Sequence, residues 1–297
     1  MAHPQIAVFD RLSKGNEKPR RLVFGQNTLL SRTMHDIRYN EKRDEMAVTN
    51  PFAQAILTYK GDADGQAPPV RIIQGLKTLL SGDDTLEIDP VHDEILIPQD
   101  DQILVFPAGA NGNVAPIRRP RRPADSRNWT IGGGIAVDYV HNFIVTDGTF
   151  RGDWAKKYPT ANPHNYPTGR NTLLIFDRLA DGEVDPVRFI RGPKTGIYAT
   201  RQLTVYSKNG WIIASQISDG GTALPEDAFL GVWSIFDNGD VAPKWKIEGK
   251  ASNILTKPRG VTFNPNHKEV LVSDMRLNAV LTFSFPEIFD TAARPPR

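Results

Sequence analysis

The sequence contains no cysteine among its 297 residues. This absence excludes disulfides, thiolate catalysis and zinc sites built on cysteine. No run of about 18 apolar residues occurs, so we expect no transmembrane helix. The opening "MAHPQIAVFD" shows no basic stretch followed by an apolar one, so no signal peptide is visible. None of these absences identifies the compartment in which the protein works.

Excess charge of one sign and familiar catalytic motifs are missing as well. The chain has 36 basic and 34 acidic residues, and this balance gives no reason to expect a nucleic-acid partner. Neither an HExxH pattern nor a G-x-S-x-G pattern occurs. The glycines of "IGGGIAVD" open a strand, whereas a phosphate-binding glycine loop must open a helix.

A pattern of turns and short strands is what the sequence does contain. In four segments a proline precedes a glycine by six positions, with Arg or Lys between apolar residues: "PRRLVFG", "PVRIIQG", "PVRFIRG" and "PKWKIEG". An apolar strand and a turn rich in Asn, Asp and Gly come before each. A fifth copy, "PIRRPRR", follows such a turn in "VFPAGANGNVAP" but lacks the glycine. These segments predict hairpins between the last two strands of a repeated unit.

A second type of hairpin alternates with the first. Its copies are "DIRYNEKRDEMAVTN", "LEIDPVHDEILIPQ", "GIAVDYVHNFIVTD", "QLTVYSKNGWIIASQ" and "GVTFNPNHKEVLVSD". Where no insertion intervenes, their starts lie about 50 residues apart. Four short antiparallel strands repeated at this spacing predict an all-β fold, a β-propeller.

The strand count favours one domain over residues 1–297 with five blades, six being the alternative. The chain starts with third and fourth strands, at about 5–25, and ends with first, second and third strands, at about 259–286. We therefore expect both termini to close the ring by completing one blade, with one extra terminal strand. The insertions are predicted at 151–169 and 218–229.

The segments "GGIAVDYVHNFIVTDG" and "RGVTFNPNHKEVLVSD" resemble NHL-type repeats, and "VFPAGANGNVAPIRR" is similar to a hairpin of a bacterial subgroup of such propellers. The resemblance covers nearly the whole chain. It implies the propeller fold and a periplasmic or extracellular location, with the cytoplasm as the alternative. It implies little about activity, because one fold carries many functions.

Candidate binding residues surround one mouth of the predicted channel, just before or in the first strands. They are His35, Asp36, Glu87, Arg201 and Arg259. Arginine is a forked donor suited to carboxylates and other anions. The alternative is that these charged groups pair with one another and fill the channel.

A second ring is formed by the polar residues that end the second strands: Asn50, Gln99, Asp147, Gln216 and Asp274. Asp147 and Asp274 are the alternative ligands for one divalent cation such as Ca²⁺. Because the position recurs in every unit, side-chain capping of the strand ends is the favoured interpretation. No cofactor is predicted. Related six-bladed propellers include lactonase-like hydrolases with a Glu, Asn and Asp metal set, which this chain does not reproduce.

Two further segments offer surfaces for partners. The insertion 151–169 carries the aromatic and polar residues Trp154, Tyr158, His164 and Tyr166, which suit a binding loop. The basic run "RRPRRPADSR" at 118–127 suits an acidic partner, or else is an outer strand protected from edge pairing by its charge.

The sequence therefore favours a non-catalytic binding propeller that recognises a protein, a glycan or a small anionic ligand. The alternative is a metal-dependent hydrolase of the lactonase or gluconolactonase type. A third hypothesis is a module that self-associates through its extra terminal strand.

Overall fold

The computed structural model describes residues 4–32, 34–82, 85–125, 128–150, 172–217, 228–252 and 254–295. The fold is an all-β propeller of five antiparallel blades, which confirms the fold class and blade number favoured by the repeats. Two short α-helices lie in the described part, α1 (Gly249–Ser252) and α2 (Pro286–Asp290).

The first two blades follow an N-terminal pair of strands, β1 (Gln5–Val8) and β2 (Arg21–Phe24). Blade 1 has the order β3 (Ile37–Asn40), β4 (Glu45–Asn50), β5 (Ala55–Lys60) and β6 (Arg71–Gln74). Blade 2 has the order β7 (Glu87–Asp89), β8 (Glu94–Gln99), β9 (Gln102–Pro107) and β10 (Pro120–Arg121), with β14 (Gly182–Glu183) added parallel to β10.

The other three blades come from the second half of the chain. Blade 3 has the order β11 (Trp129–Asp138), β12 (Phe143–Phe150), β13 (Thr172–Asp177) and β15 (Arg188–Ile190). Blade 4 has the order β16 (Ala199–Tyr206), β17 (Trp211–Ile217), β18 (Phe229–Ser234) and β19 (Trp245–Glu248). Blade 5 has the order β20 (Pro258–Asn264), β21 (Glu269–Asp274) and β22 (Ala279–Ser284).

The chain forms two compact units. Unit 1 comprises Met1–Ile97 and Leu104–Ile117, and unit 2 comprises Pro98–Ile103 and Arg118–Arg297. In unit 1, Ile56 and Ile73 of blade 1 pack with Ile95 of blade 2 in one buried cluster. In unit 2, Trp233 of blade 4 packs with blade 3, and Ile213 of blade 4 packs with blade 5. Each fully buried Ile or Leu contributes about 1.5–3 kcal/mol, so the packing of one blade on the next holds the fold together.

The glycine-rich hairpin at 109–113 connects blade 2 to the outer strand of blade 1. Asn111 Oδ1 accepts a hydrogen bond from the Ile72 amide at 2.9 Å, and Asn113 Oδ1 accepts one from the Lys77 amide at 2.8 Å. Gly75 has a φ of 125°, and a Cβ there would lie 2.6 Å from the Asn113 side chain. The glycine six residues after the proline is therefore required by this contact.

The same connection recurs in both units. Gly65 bridges Val23 of β2 in unit 1, and Gly239 bridges Ile190 of β15 in unit 2. The arginine that begins an outer strand adds a second link, because it donates to a carbonyl in the next blade. Three such bonds are Arg21 Nη1 to Gly61 O, Arg71 Nη2 to Ala108 O and Arg188 Nη2 to Ile235 O, at 2.9, 3.3 and 3.0 Å. The Arg–apolar alternation of the sequence is thus the pattern of an outer strand.

The assignment of the ends and the insertions stays a prediction, and the described strands fix only their borders. Strands β1 and β2 lie within the predicted 5–25 range, and their assignment to the blade of the C-terminal strands stays a prediction. The second insertion ends earlier than residue 229, because Phe229 begins β18 and is buried. The predicted insertion 151–169 and residues 218–227 lie outside the described residues.

Candidate functional site

Unit 1 brings three charged side chains together between the first strands of blades 1 and 2. Arg38 Nη1 lies 2.9 Å from Asp36 Oδ1, and Arg38 Nε lies 3.4 Å from Glu87 Oε1. The exposed fractions of the Arg38, Asp36 and Glu87 side chains are 16%, 5% and 13%. We call these three residues the Arg38 cluster. Asp36 immediately precedes β3 and Arg38 lies within it, and the two-residue alternation of extended backbone places both side chains on one face.

Asp36 connects the two blades. Its Oδ1 accepts hydrogen bonds from the Ile37 amide at 3.0 Å and from Arg38 at 2.9 Å. Its Oδ2 accepts a bond from the Leu86 amide at 3.3 Å, in the segment that leads into β7. These donors fill the acceptor positions of both Asp36 oxygens. Asp36 is therefore the member of the cluster whose side chain is held in place by the most hydrogen bonds.

Arg38 is the member of the cluster with a hydrogen-bond donor that lacks an acceptor. Its Nη2 atom is buried and has no hydrogen-bond partner in the structure. A buried donor left unsatisfied costs about 1–3 kcal/mol, because it has lost its water without gaining an acceptor. Such a group in a native fold calls for an explanation, and an acceptor from outside the chain is one that the chemistry of a guanidinium allows.

Glu87 is the member whose charge is adjustable. Burial raises its pKa to about 7, against the opposing effects of Arg38 and of the bond from the Ile88 amide. At neutral pH Glu87 is therefore partly in its neutral form. The cluster is then close to neutral, because Arg38 offsets the charge of Asp36. Perturbed titration in a partly buried charged cluster is typical of a functional site.

The other predicted mouth residues fall into both units. In unit 1, His35 is exposed and immediately precedes Asp36. In unit 2, Arg201 is half-buried on β16, and Arg259 on β20 is exposed, with its Nε 3.4 Å from Met275 Sδ. The structure thus joins Asp36 and Glu87 through Arg38, a residue that the sequence analysis did not single out.

Two of the residues that end the second strands, Asn50 and Asp274, hold the loops that precede the first strands. Asn50 accepts a bond from Ser31 Oγ at 2.7 Å and donates to Leu29 O at 3.1 Å. Asp274 accepts bonds from the Thr256 amide and hydroxyl and from the Lys257 amide, at 2.7, 3.0 and 2.8 Å. Burial opposes ionisation of Asp274, but these bonds outweigh it and lower its pKa. This geometry supports the capping interpretation.

Asp147 lies in a cradle of glycines. It is fully buried, and its Oδ1 accepts a hydrogen bond from the Gly134 amide. A Cβ at Gly132 would lie 2.3 Å from Asp147 Oδ2. The glycines of "IGGGIAVD" are therefore needed so that the backbone can approach this carboxylate, and the strand bulges between Ile131 and Ile135 to do so.

Cation binding has little geometric support in the described part of the chain. There, no group of three or more His, Asp or Glu side chains is arranged to hold a metal ion. Two histidines of the turns contact an aspartate three residues earlier in the chain. His92 Nδ1 is 2.7 Å from Asp89 Oδ2, and His141 Nδ1 is 2.8 Å from Asp138 Oδ2. The predicted loop residues Trp154, Tyr158, His164 and Tyr166 lie outside the described residues.

The basic run is tied into unit 2 by contacts of its arginines. Arg119 Nε donates to Gln102 Oε1 at 2.5 Å, and Arg122 Nη1 donates to Trp129 O at 2.7 Å. Arg121 Nη2 lies 3.3 Å from Glu183 Oε1, across the parallel pair of β10 and β14. These contacts support the structural interpretation of the run.

Comparison with known proteins supports the class of fold. No protein-family model and no curated protein matches the sequence. Among solved structures, hydrazine synthase of Kuenenia stuttgartiensis is similar, with a TM-score of 0.51 and 9% sequence identity. The alignment covers 81% of this chain and 55% of that one. At this identity the likeness shows a propeller-type fold alone.

The protein is therefore a β-propeller, and its membership of the NHL-type family stays a prediction. The periplasmic or extracellular location stays a prediction as well. Within the described residues, no helix is both long and apolar enough to cross a membrane.

Proposed function

We propose that this propeller is a non-catalytic binding protein that takes a hydroxyl-bearing ligand, a glycan or polyol, at the Arg38 cluster. The observation that carries the proposal is the buried Arg38 Nη2 donor without an acceptor, beside a carboxyl group that is neutral in part at neutral pH. A ligand oxygen bound there would satisfy this buried donor.

A hydroxyl group suits this environment better than an anion. An oxygen that approaches Arg38 Nη2 also approaches Asp36 and Glu87, which flank the guanidinium. An anion is repelled by these carboxylates, whereas a hydroxyl accepts from the arginine and donates to a carboxylate oxygen. Of the three ligand classes suggested by the sequence, the glycan is therefore favoured over the small anion.

The same ion pairs weigh against the hydrolase alternative. Asp36 and Glu87 each contact the guanidinium of Arg38, so a cation bound by these carboxylates would face a fixed positive charge. A binding role needs no group beyond the donors and acceptors already in place.

The proposal is tested by a thermal-shift screen followed by calorimetry. The probes are neutral mono- and disaccharides and inositol on one side, and phosphate and citrate on the other. Arg38→Met should abolish a saccharide-induced shift. Arg43→Met is the matched control, because Arg43 lies in the turn at the other end of β3 and pairs with the half-exposed Asp93.

Saccharide binding that survives Arg43→Met and disappears with Arg38→Met supports the proposal. Binding of anions alone, or saccharide binding that is equal in both variants, contradicts it.

A further inference from the structure

Three exposed apolar side chains stand on neighbouring turns of unit 1. Leu29 ends the first turn, which follows β2. Phe52 lies in the second turn, between β4 and β5, and Leu76 begins the third turn, which follows β6. Their exposed fractions are 51%, 80% and 95%, so the side chains protrude from the surface instead of lining a groove. We call Leu29, Phe52 and Leu76 the apolar tips.

Hydrogen bonds hold the three turns side by side. Asn50 Nδ2, at the end of β4, donates to Leu29 O at 3.1 Å and joins the first turn to the second. Gln74 Nε2, at the end of β6, donates to Ala53 O at 2.7 Å and joins the third turn to the second. The apolar tips therefore form one patch whose spacing is set by the fold of unit 1.

Leu29 has a backbone conformation that favours glycine. Its φ is 59°, and the equivalent residue in unit 2 is Gly196, with a φ of 66°. Each of the two follows a threonine whose hydroxyl donates to a glycine carbonyl three residues earlier, at 2.6 and 2.7 Å. A leucine at such a φ is strained relative to glycine, and burial does not offset the strain because Leu29 is half exposed. An apolar contact outside the chain would offset it.

The charged residues beside the tips are basic. Within four residues of a tip along the chain, the charged residues are Arg32 and Lys77, and both are exposed. Asp83 and Asp84, further along, lie outside the described residues. Apolar side chains flanked by lysine and arginine are typical of surfaces that bind anionic lipid headgroups and bury apolar groups beneath them.

The patch is small for a protein partner. Three side chains of this size expose on the order of 400 Å², whereas each partner of a stable protein–protein interface buries about 800 Å². A bilayer needs no matching pocket, because its acyl chains pack around each side chain that enters. Protrusion, area and charge therefore favour a lipid surface over a protein surface.

We propose that the apolar tips insert into the surface of a lipid bilayer with anionic headgroups, with Arg32 and Lys77 at the level of the headgroups. The contact is interfacial and involves no membrane-spanning segment. It docks the propeller on a membrane through unit 1, and it does not depend on the ligand proposed for the Arg38 cluster.

The first experiment places a fluorescent label on one tip of the whole protein. The chain has no cysteine, so Leu76→Cys carries a single environment-sensitive nitrobenzoxadiazole group. Vesicles of phosphatidylcholine and phosphatidylglycerol in equal parts should shift its emission to the blue. The matched control is Val91→Cys, because Val91 is an exposed apolar residue in the turn at the other end of β7. Its emission should stay unchanged.

Co-sedimentation with the same vesicles measures how much each residue contributes. Phe52→Ser together with Leu76→Ser should lower binding at least about tenfold, and Val91→Ser should leave it unchanged. Lys77→Gln should weaken binding about fivefold. Leu29→Gly should weaken binding without lowering the melting temperature, because glycine adopts this φ without strain.

Four results would overturn the proposal. One is no binding to the mixed vesicles, and another is equal binding to vesicles of phosphatidylcholine alone. The third is an equal response of the labels at Leu76→Cys and Val91→Cys. The fourth is self-association in analytical ultracentrifugation that Leu76→Ser abolishes, because the patch would then be a contact between copies of the chain.

Discussion

The Arg38 cluster and the basic run differ in what surrounds their arginines. The run at 118–122 is the densest positive charge in the sequence, yet its side chains have acceptors such as Gln102 Oε1, Trp129 O and Glu183. Arg38 lies between Ile37 and Tyr39 on β3, and its buried Nη2 has no acceptor in the structure. Charge density along a sequence therefore does not show which arginines the fold already supplies with acceptors.

The largest expected effect is on the stability of the cluster. Asp36→Ala removes the acceptor of Arg38 and of the Leu86 amide and leaves a buried charge with less compensation. We expect a loss of about 3 kcal/mol in the free energy of unfolding by urea. The matched change at the basic run is Asp181→Ala, which removes the acceptor of the exposed Arg119 amide and should cost about 1 kcal/mol. Equal losses would remove the distinction between the two regions.

The next effect is a dependence of the free energy of unfolding on pH, and Glu87 is its source. A pKa raised by burial to about 7 means that the folded state holds its proton more tightly than the unfolded state. The associated stability is fully present below the unfolded pKa and is lost as pH rises through about 7. Glu87→Gln should therefore be more stable than wild type at pH 8, by up to about 3 kcal/mol, with no such advantage at pH 4. An advantage that is the same at both pH values contradicts this account.

A smaller effect separates two arginines of the basic run. Arg122→Met removes a partly buried bond to Trp129 O and should cost about 1 kcal/mol in urea unfolding. Arg121→Gln breaks an exposed ion pair with Glu183 and should cost less than about 0.5 kcal/mol. The reverse order would show that the run is not held by the contacts described above.

The smallest expected effect is on polyanion binding. Because the arginines of the run contact protein acceptors, Arg119→Gln together with Arg121→Gln should barely change the salt concentration at which the protein elutes from heparin. A large drop would make the run a polyanion site.

The blades were predictable because their signals are local. Alternating strands, Asn-Gly turns and the Pro–Gly spacing repeat along the chain. Each of these patterns predicts the structure of its own segment without reference to distant residues. The reason for the Pro–Gly spacing needed the structure, because Gly75 faces Asn113 of the following blade.

The Arg38 cluster was predictable only in part. Asp36 and Glu87 were named from their places at the first strands, but their shared partner is set by how blade 1 packs on blade 2. The two-residue spacing of Asp36 and Arg38 at the start of β3 is the signal that could have identified Arg38. An unsatisfied atom such as Arg38 Nη2 has no signature in the sequence, because it depends on every neighbour at once.

The most direct test of the central claim is an NMR titration that follows the side-chain Nε–H signal of Arg38, assigned by its loss in Arg38→Met. The probes are neutral disaccharides and inositol, with phosphate and citrate in parallel. The account predicts that a neutral probe shifts the Arg38 signal and leaves that of Arg43 in place. A response to phosphate or citrate only, or no response to any probe, would contradict it.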